Sequence, residues 1–114
     1  MEIVRTPTPL AHLQELAAAR FGDLVKAVVD VERGIMAIDA GMHADEEAAL
    51  IQDGSQQRHL WGINLYPTEH GTDGWLEFDS MINLRPGQGN RTRSVEDPAL
   101  RAVIAVIVDR LVVP

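Results

Sequence analysis

The chain has no cysteine. That excludes disulfides, thiolate zinc sites and cysteine nucleophiles, and it fits a reducing, cytoplasmic setting. It also lacks a long apolar run. The longest, AVIAVIV at 102–108, falls far short of the ~20 residues that a membrane-spanning helix needs. The first residues, MEIVRTPTPL, hold no apolar stretch preceded by a basic region, so no signal peptide is expected. Positive charge is scarce, with ten Lys and Arg against seventeen Asp and Glu, a formal charge of −7. Such a chain is repelled by bulk nucleic acid and by anionic membrane surfaces. No linker or low-complexity segment interrupts it, so residues 1–114 are expected to form one globular domain.

What is present alternates between two periodicities. Thr8-Pro9 and Asp97-Pro98 each place an oxygen-bearing residue before a proline, the pattern of a capped helix start. The first helix is predicted from Pro9 to about Arg20, with Leu10, Leu13, Leu16 and Ala17 as its buried stripe. The last is predicted from Pro98 to about Leu111, on Leu100, Val103, Ile104, Ile107, Val108 and Leu111. Between them lie strand patterns. Leu24 to Val31 is nearly all apolar, interrupted by Lys26 and Asp30, and reads as a central strand. Glu32-Arg33-Gly34 turns it into an antiparallel return from Ile35 to Asp39. Leu60 to Tyr66 is another strand, with Trp61, Ile63 and Leu65 on one face. Trp75 to Leu84 reads as the longest, alternating Leu76, Phe78, Ile82 and Leu84 with Trp75, Glu77, Asp79, Met81 and Asn83. The segment 40–52 is ambiguous: Glu46 to Gln52 suits a helix by propensity and a strand by position. The strand is the reading adopted before the Asp53-Gly54-Ser55 turn. The expected fold is α+β, a two-layer sandwich. A mostly antiparallel sheet of four or five strands would carry the N- and C-terminal helices on one face.

Three places carry candidate chemistry. On the long strand, Glu77 and Asp79 share a side with Asn83, and Asn64 would lie across from them. Such oxygen groups suit a hard cation, although a solvated sheet face explains them equally simply, and no metal ligand is assigned. Trp75, Tyr66 and Met81 on the same side would instead suit an interaction face. In the following long loop, Arg85, Arg91 and Arg93 stand with Asn90, Gly87 and Gly89 and without an acid among them. They suit bidentate contact with phosphate or carboxylate. The plainer alternative is that they pair with Glu77, Asp79 or Glu96 and hold the loop. His43-Ala44-Asp45-Glu46-Glu47 puts a histidine beside three acids, but its spacing matches no metalloenzyme pattern, and it reads as a polar connection. No serine lies in a nucleophile elbow, no phosphate-binding P-loop is present, and no catalytic residue or cofactor follows from the residues.

The blocks VKAVVDVERGIMAI (25–38), HADEEAALIQDGS (43–55), LWGINLYP (60–67) and EFDSMINLRPGQGNRTRSVEDP (77–98) resemble, in the same order, those of a small bacterial family catalogued only as a domain of unknown function. The resemblance covers nearly the whole chain. It implies a stand-alone single-domain protein and brings no activity, substrate or catalytic residue with it. The expectation is therefore a non-enzymatic binding or interaction protein, a homo-oligomer that takes a small anionic ligand. The alternative is a small hydrolase or transferase whose arginine loop holds an anionic substrate beside Glu77 and Asp79.

Overall fold

The computed structural model describes residues 1–114. A five-stranded sheet, antiparallel throughout, runs in the order β1 (Glu2–Val4), β4 (Ile35–Ile38), β3 (Val25–Asp30), β5 (Leu60–Leu65), β6 (Leu76–Glu77). Helices α1 (Leu10–Arg20) and α3 (Pro98–Leu111) pack on one face. The α+β class, the antiparallel sheet and the two terminal helices on a shared face are as the periodicities predict. No helix is long and apolar enough to cross a membrane.

Strand alternation sorts the side chains. Val25, Ala27, Val29, Met36, Ile38, Trp61, Ile63 and Leu65 face α1 and α3 and form the main core with Leu13, Ala17, Ile104, Val108 and Leu111. Asp97 caps α3 through Oδ1, which accepts from the Ala99 N–H at 2.9 Å. The start of α1 differs from the expected pattern. Pro9 is itself the N-cap, and no side chain caps the helix. Thr8 and Pro9 instead form a short strand, β2, parallel to β7 (Val112–Val113), and this pairing holds Pro9 extended.

The opposite sheet face corrects the reading of 40–52. This segment is a helix, α2 (His43–Gln52), not a strand. His43, Glu46 and Leu50 fall at helical spacing on one side, and all three are buried. Leu50 joins Val28, Ile35, Ala37 and Leu60 in a second, smaller core. Gly54, at φ 108°, ends the helix in a left-handed turn, and the Ser55 N–H reaches back to the Leu50 carbonyl at 2.9 Å. Propensity outweighed position because β3 already has β4 and β5 on its two edges.

The predicted long strand 75–84 is also corrected. Only Leu76 and Glu77 pair, opposite Leu65 and Asn64. Beyond them the chain bends across Gly62 and closes a 3-10 turn at Met81–Asn83. A Cβ on Gly62 would lie 2.5 Å from Ser80 Cβ, so the crossing needs a glycine there. The ladder is completed by a side chain. Asn83 Oδ1 accepts from the Gly62 N–H at 2.8 Å, and Nδ2 donates to the Gly62 carbonyl at 2.9 Å. Trp75, expected on the open face, lies in the main core.

Candidate functional site

The six residues singled out in the sequence divide into five environments. Arg93 Nε donates to Asp79 Oδ1 at 2.8 Å, with a second, longer contact to Oδ2. Arg85 meets no carboxylate. Its guanidinium donates to the backbone carbonyls of Gln57 (2.6 Å) and Leu60 and lies 4.0 Å from the centroid of the Trp61 ring. Burial holds its pKa below the ordinary arginine value, against the pull of the nearby Glu47 carboxylate. Arg91 is exposed, and its guanidinium touches no partner, although its backbone N–H is held by Glu96. Asn90 is buried at the centre of the loop. Its Nδ2 donates to the carbonyls of Asn83 and Ser94, both at 2.7 Å, and Oδ1 accepts from the Glu96 N–H at 2.9 Å.

Glu77 is held by Asn64 Nδ2 at 2.8 Å and by the Tyr66 hydroxyl at 3.2 Å. Burial, followed by the Glu77 charge and hydrogen bond, raises the Tyr66 pKa. The long loop is thus held mostly by Asn90, Asn83 and Glu96, with Arg93 in one exposed ion pair, Arg85 clamping two carbonyls, and Arg101 of α3 donating to the Val95 carbonyl and the Ser94 hydroxyl. An expected result follows from that difference. Arg93→Ala, at an ion pair whose side chains are 55% and 45% exposed, changes stability by less than about 1 kcal/mol. Arg85→Ala costs about 2 kcal/mol or more, because two charged hydrogen bonds and a stacked ring contact are lost. Urea denaturation of the two variants measures this, and equal losses would contradict the assignment.

Where Arg93 ends, a different grouping begins. A cleft of about 190 Å³ lies between the start of α2 and the 80–82 segment. It is lined by Lys26, Gly41, Met42, His43, Ala44, Ser80, Met81, Ile82 and Arg93. Lys26, the only lysine of the chain, is on β3, half-buried. Its ammonium has no carboxylate partner and lies 5.4 Å from the centroid of the Phe21 ring. His43, at the first turn of α2, is 7% exposed. Its Nε2 is 2.8 Å from the Ile63 carbonyl and must donate to it, which leaves Nδ1 as the acceptor of the neutral ring, with the Asn64 side chain also beside the imidazole. Burial depresses the His43 pKa and the Lys26 charge adds to that, against the Ile63 carbonyl, so the ring is neutral at pH 7. Met42 is the N-cap of α2 and no side chain caps the helix; the Asp45 N–H turns back to the Met42 carbonyl at 3.2 Å, and the His43 and Ala44 N–H groups have no partner in the helix.

Behind this cleft Glu46 is fully buried. Its Oε2 accepts from the Ala40 N–H at 3.0 Å, and Oε1 has no partner. Burial pushes its pKa up to about 9, so it is uncharged at neutral pH. Of the acids around it, Asp39 is taken by Arg20 and the N-terminal amine, while Asp45 is exposed in the first turn of α2. The lining of the cleft thus carries Lys26 and Arg93 and no carboxylate, with Asp79 balancing Arg93 and Asp45 one residue beyond Ala44.

Sequence reasoning named Arg93 and Asp79 but not Lys26, His43 as a cleft residue, or Ser80. A signal existed. Lys26 interrupts an otherwise apolar strand, and His43, Glu46 and Leu50 share a stripe once 43–52 is read with a 3.6-residue period.

The chain belongs to a family described as a protein of unknown function, DUF5674, whose family model matches residues 2–111. No curated protein and no solved structure matches it.

Proposed function

We propose that this protein is a binding protein for a small anion, held in the cleft at the start of α2. The observation that carries the reading is the half-buried, unpaired Lys26, which shares the cleft with Arg93 and an uncapped helix start. An isolated ammonium without a carboxylate beside it favours an anionic occupant. A neutral His43 whose Nδ1 accepts a hydrogen bond adds selectivity for an anion that also carries an O–H, such as a hydrogen phosphate ester or a hydroxy acid. The exposed Met42 and Met81 at the rim supply adaptable apolar contact for the rest of such a ligand. Binding is favoured over hydrolysis because no carboxylate lines the cleft to act as a base. Asp79 is held by Arg93, Glu77 by Asn64 and Tyr66, and Glu46 is protonated.

The test is a thermal-shift panel of inorganic phosphate, sugar phosphates, hydroxy acids and simple carboxylates, run on the natural chain and on Lys26→Met. A ligand at 100 times its Kd adds about 2.7 kcal/mol, a shift of several degrees for a domain of this size. The expected outcome is a shift for one ligand class that Lys26→Met abolishes while the unliganded Tm stays close to that of the natural chain. No shift with any of them, or an equal shift in Lys26→Met, overturns the reading.

A further inference from the structure

Asn64 holds an unused acceptor beside His43. It stands opposite Lys26 across the β3–β5 ladder, so both side chains leave the sheet on the α2 side. Asn64 is only 5% exposed. Its Nδ2 donates to Glu77 Oε1 at 2.8 Å and to the Asp79 carbonyl at 3.2 Å. Turning the amide over would set its oxygen against both of those acceptors, so the orientation is fixed. Oδ1 is then left buried without a hydrogen bond, which is costly inside a protein. The neighbouring imidazole could serve it, but the neutral ring has a single N–H and the Ile63 carbonyl takes it.

We propose that the cleft takes up its anion together with a proton, which His43 receives; this rests on the anion-binding reading above and adds its regulation. A protonated ring carries a donor on each nitrogen. Nε2 keeps the Ile63 carbonyl, and the proton on Nδ1 has two acceptors available, Asn64 Oδ1 and an oxygen of the bound anion. Burial opposes the charged ring most. The Ile63 carbonyl favours it, the Lys26 ammonium opposes it, and Asp79 and the Asn64 amide favour it. Of the other charges around the ring, Arg93 is balanced by Asp79, and Glu77 is held by Asn64 and Tyr66. On α2 itself Asp45 is exposed, Glu46 is uncharged and Glu47 is half-buried. Strands β4 and β5 bring no charged residue. Lys26 is thus the unpaired cation whose charge an anion offsets, and the same anion attracts the imidazolium directly. The ring then holds its proton more tightly. The added affinity is complete below the pKa of the free ring and is lost as pH rises through that of the anion-bound ring. The preferred ligand changes with it. A neutral Nδ1 accepts and suits an anion that bears an O–H, whereas a protonated one donates and suits a bare oxyanion.

Sulfate is the probe, because it has no O–H and stays fully ionised in weak acid. Calorimetric titration should give a Kd lower by about five-fold or more at pH 5.5 than at pH 7.5, with up to one proton taken up per sulfate. His43→Gln, whose amide can still donate to the Ile63 carbonyl, should lose that dependence. NMR of the His43 ring needs no variant, and sulfate should move its titration to higher pH in the natural chain. A Kd that is the same at both pH values overturns the inference while anion binding stands. So does a pH dependence that survives in His43→Gln, or a ring titration that bound sulfate leaves unmoved. Absence of sulfate binding at either pH overturns it too, and the thermal-shift panel then tells whether the anion-binding reading falls with it.

Discussion

Glu46→Gln stabilises the protein, and the gain grows as pH rises. The carboxyl group ionises near 4.5 in an unfolded chain and near 9 in the fold, where burial penalises the charge. Below the lower value both states hold the proton, and Glu46 costs nothing. Between the two values the unfolded chain releases a proton that the fold retains, so stability falls by about 1.4 kcal/mol per pH unit. Above the higher value both states are ionised and the loss is complete. Glutamine cannot ionise, and its amide oxygen can still accept from the Ala40 N–H. The variant should therefore exceed the natural chain by about 3 kcal/mol at pH 7, with little difference at pH 4. Urea midpoints at several pH values between these limits measure it. Two stability curves that run parallel would show that Glu46 is ionised in the fold and that the burial argument is wrong. Lys26, Asp39 and the N-terminal amine are the charges that act on Glu46. They are common to both proteins and cancel in the comparison.

Asn83→Ala produces the largest loss of stability, about 3–5 kcal/mol. Asn83 is fully buried. Besides both polar groups of Gly62, its Nδ2 serves the Arg93 carbonyl at 3.0 Å. Alanine leaves the Gly62 N–H and C=O without their side-chain partners in a buried site. It also releases the 80–97 segment from β5, and with it Ser80 and Arg93 of the cleft. Chemical denaturation gives the magnitude, and hydrogen exchange gives the location, because the Gly62 amide should lose its protection before those of β3. A loss under about 1 kcal/mol with Gly62 still protected would mean that the backbone has found another partner and that the amide is not what continues the ladder.

Much of the scaffold was legible from one dimension. The 25–38 hairpin, the strand at 60–65 and the helix from Pro98 each combine an apolar period with a turn or cap residue, so local preference and final structure agree. The two corrected elements share a cause. Residues 43–52 and 75–84 show patterns compatible with more than one period, and their conformations depend on what lies beside them. A strand at 43–52 would have needed a free sheet edge, whereas helical spacing gave Leu50 an apolar seat. The alternation of 75–84 was genuine, yet Gly62 and Asn83 ended the backbone pairing after Glu77.

The candidate site divides in the same way. Composition marked a short arginine-rich loop in an acidic chain, and the ion pair between Arg93 and Asp79 lies where that reading placed a junction. Arg85 and Arg91 did not join it, because nothing in sequence spacing specifies which of three flexible guanidinium groups meets which acceptor across a turn. Lys26 and His43 are distant along the chain from Arg93 and meet it only after β3, α2 and the 80–82 segment are stacked.

Sequence alone determined the class of fold, the acidic balance, the helix that starts at Pro98 and the loop that carries charge, because these follow from periodicity and composition summed over short windows. Tertiary structure alone decided that Glu46 is buried and protonated, that an asparagine side chain completes a strand ladder, and that an unpaired lysine faces the start of α2. Burial and partnership are properties of what surrounds a residue in space.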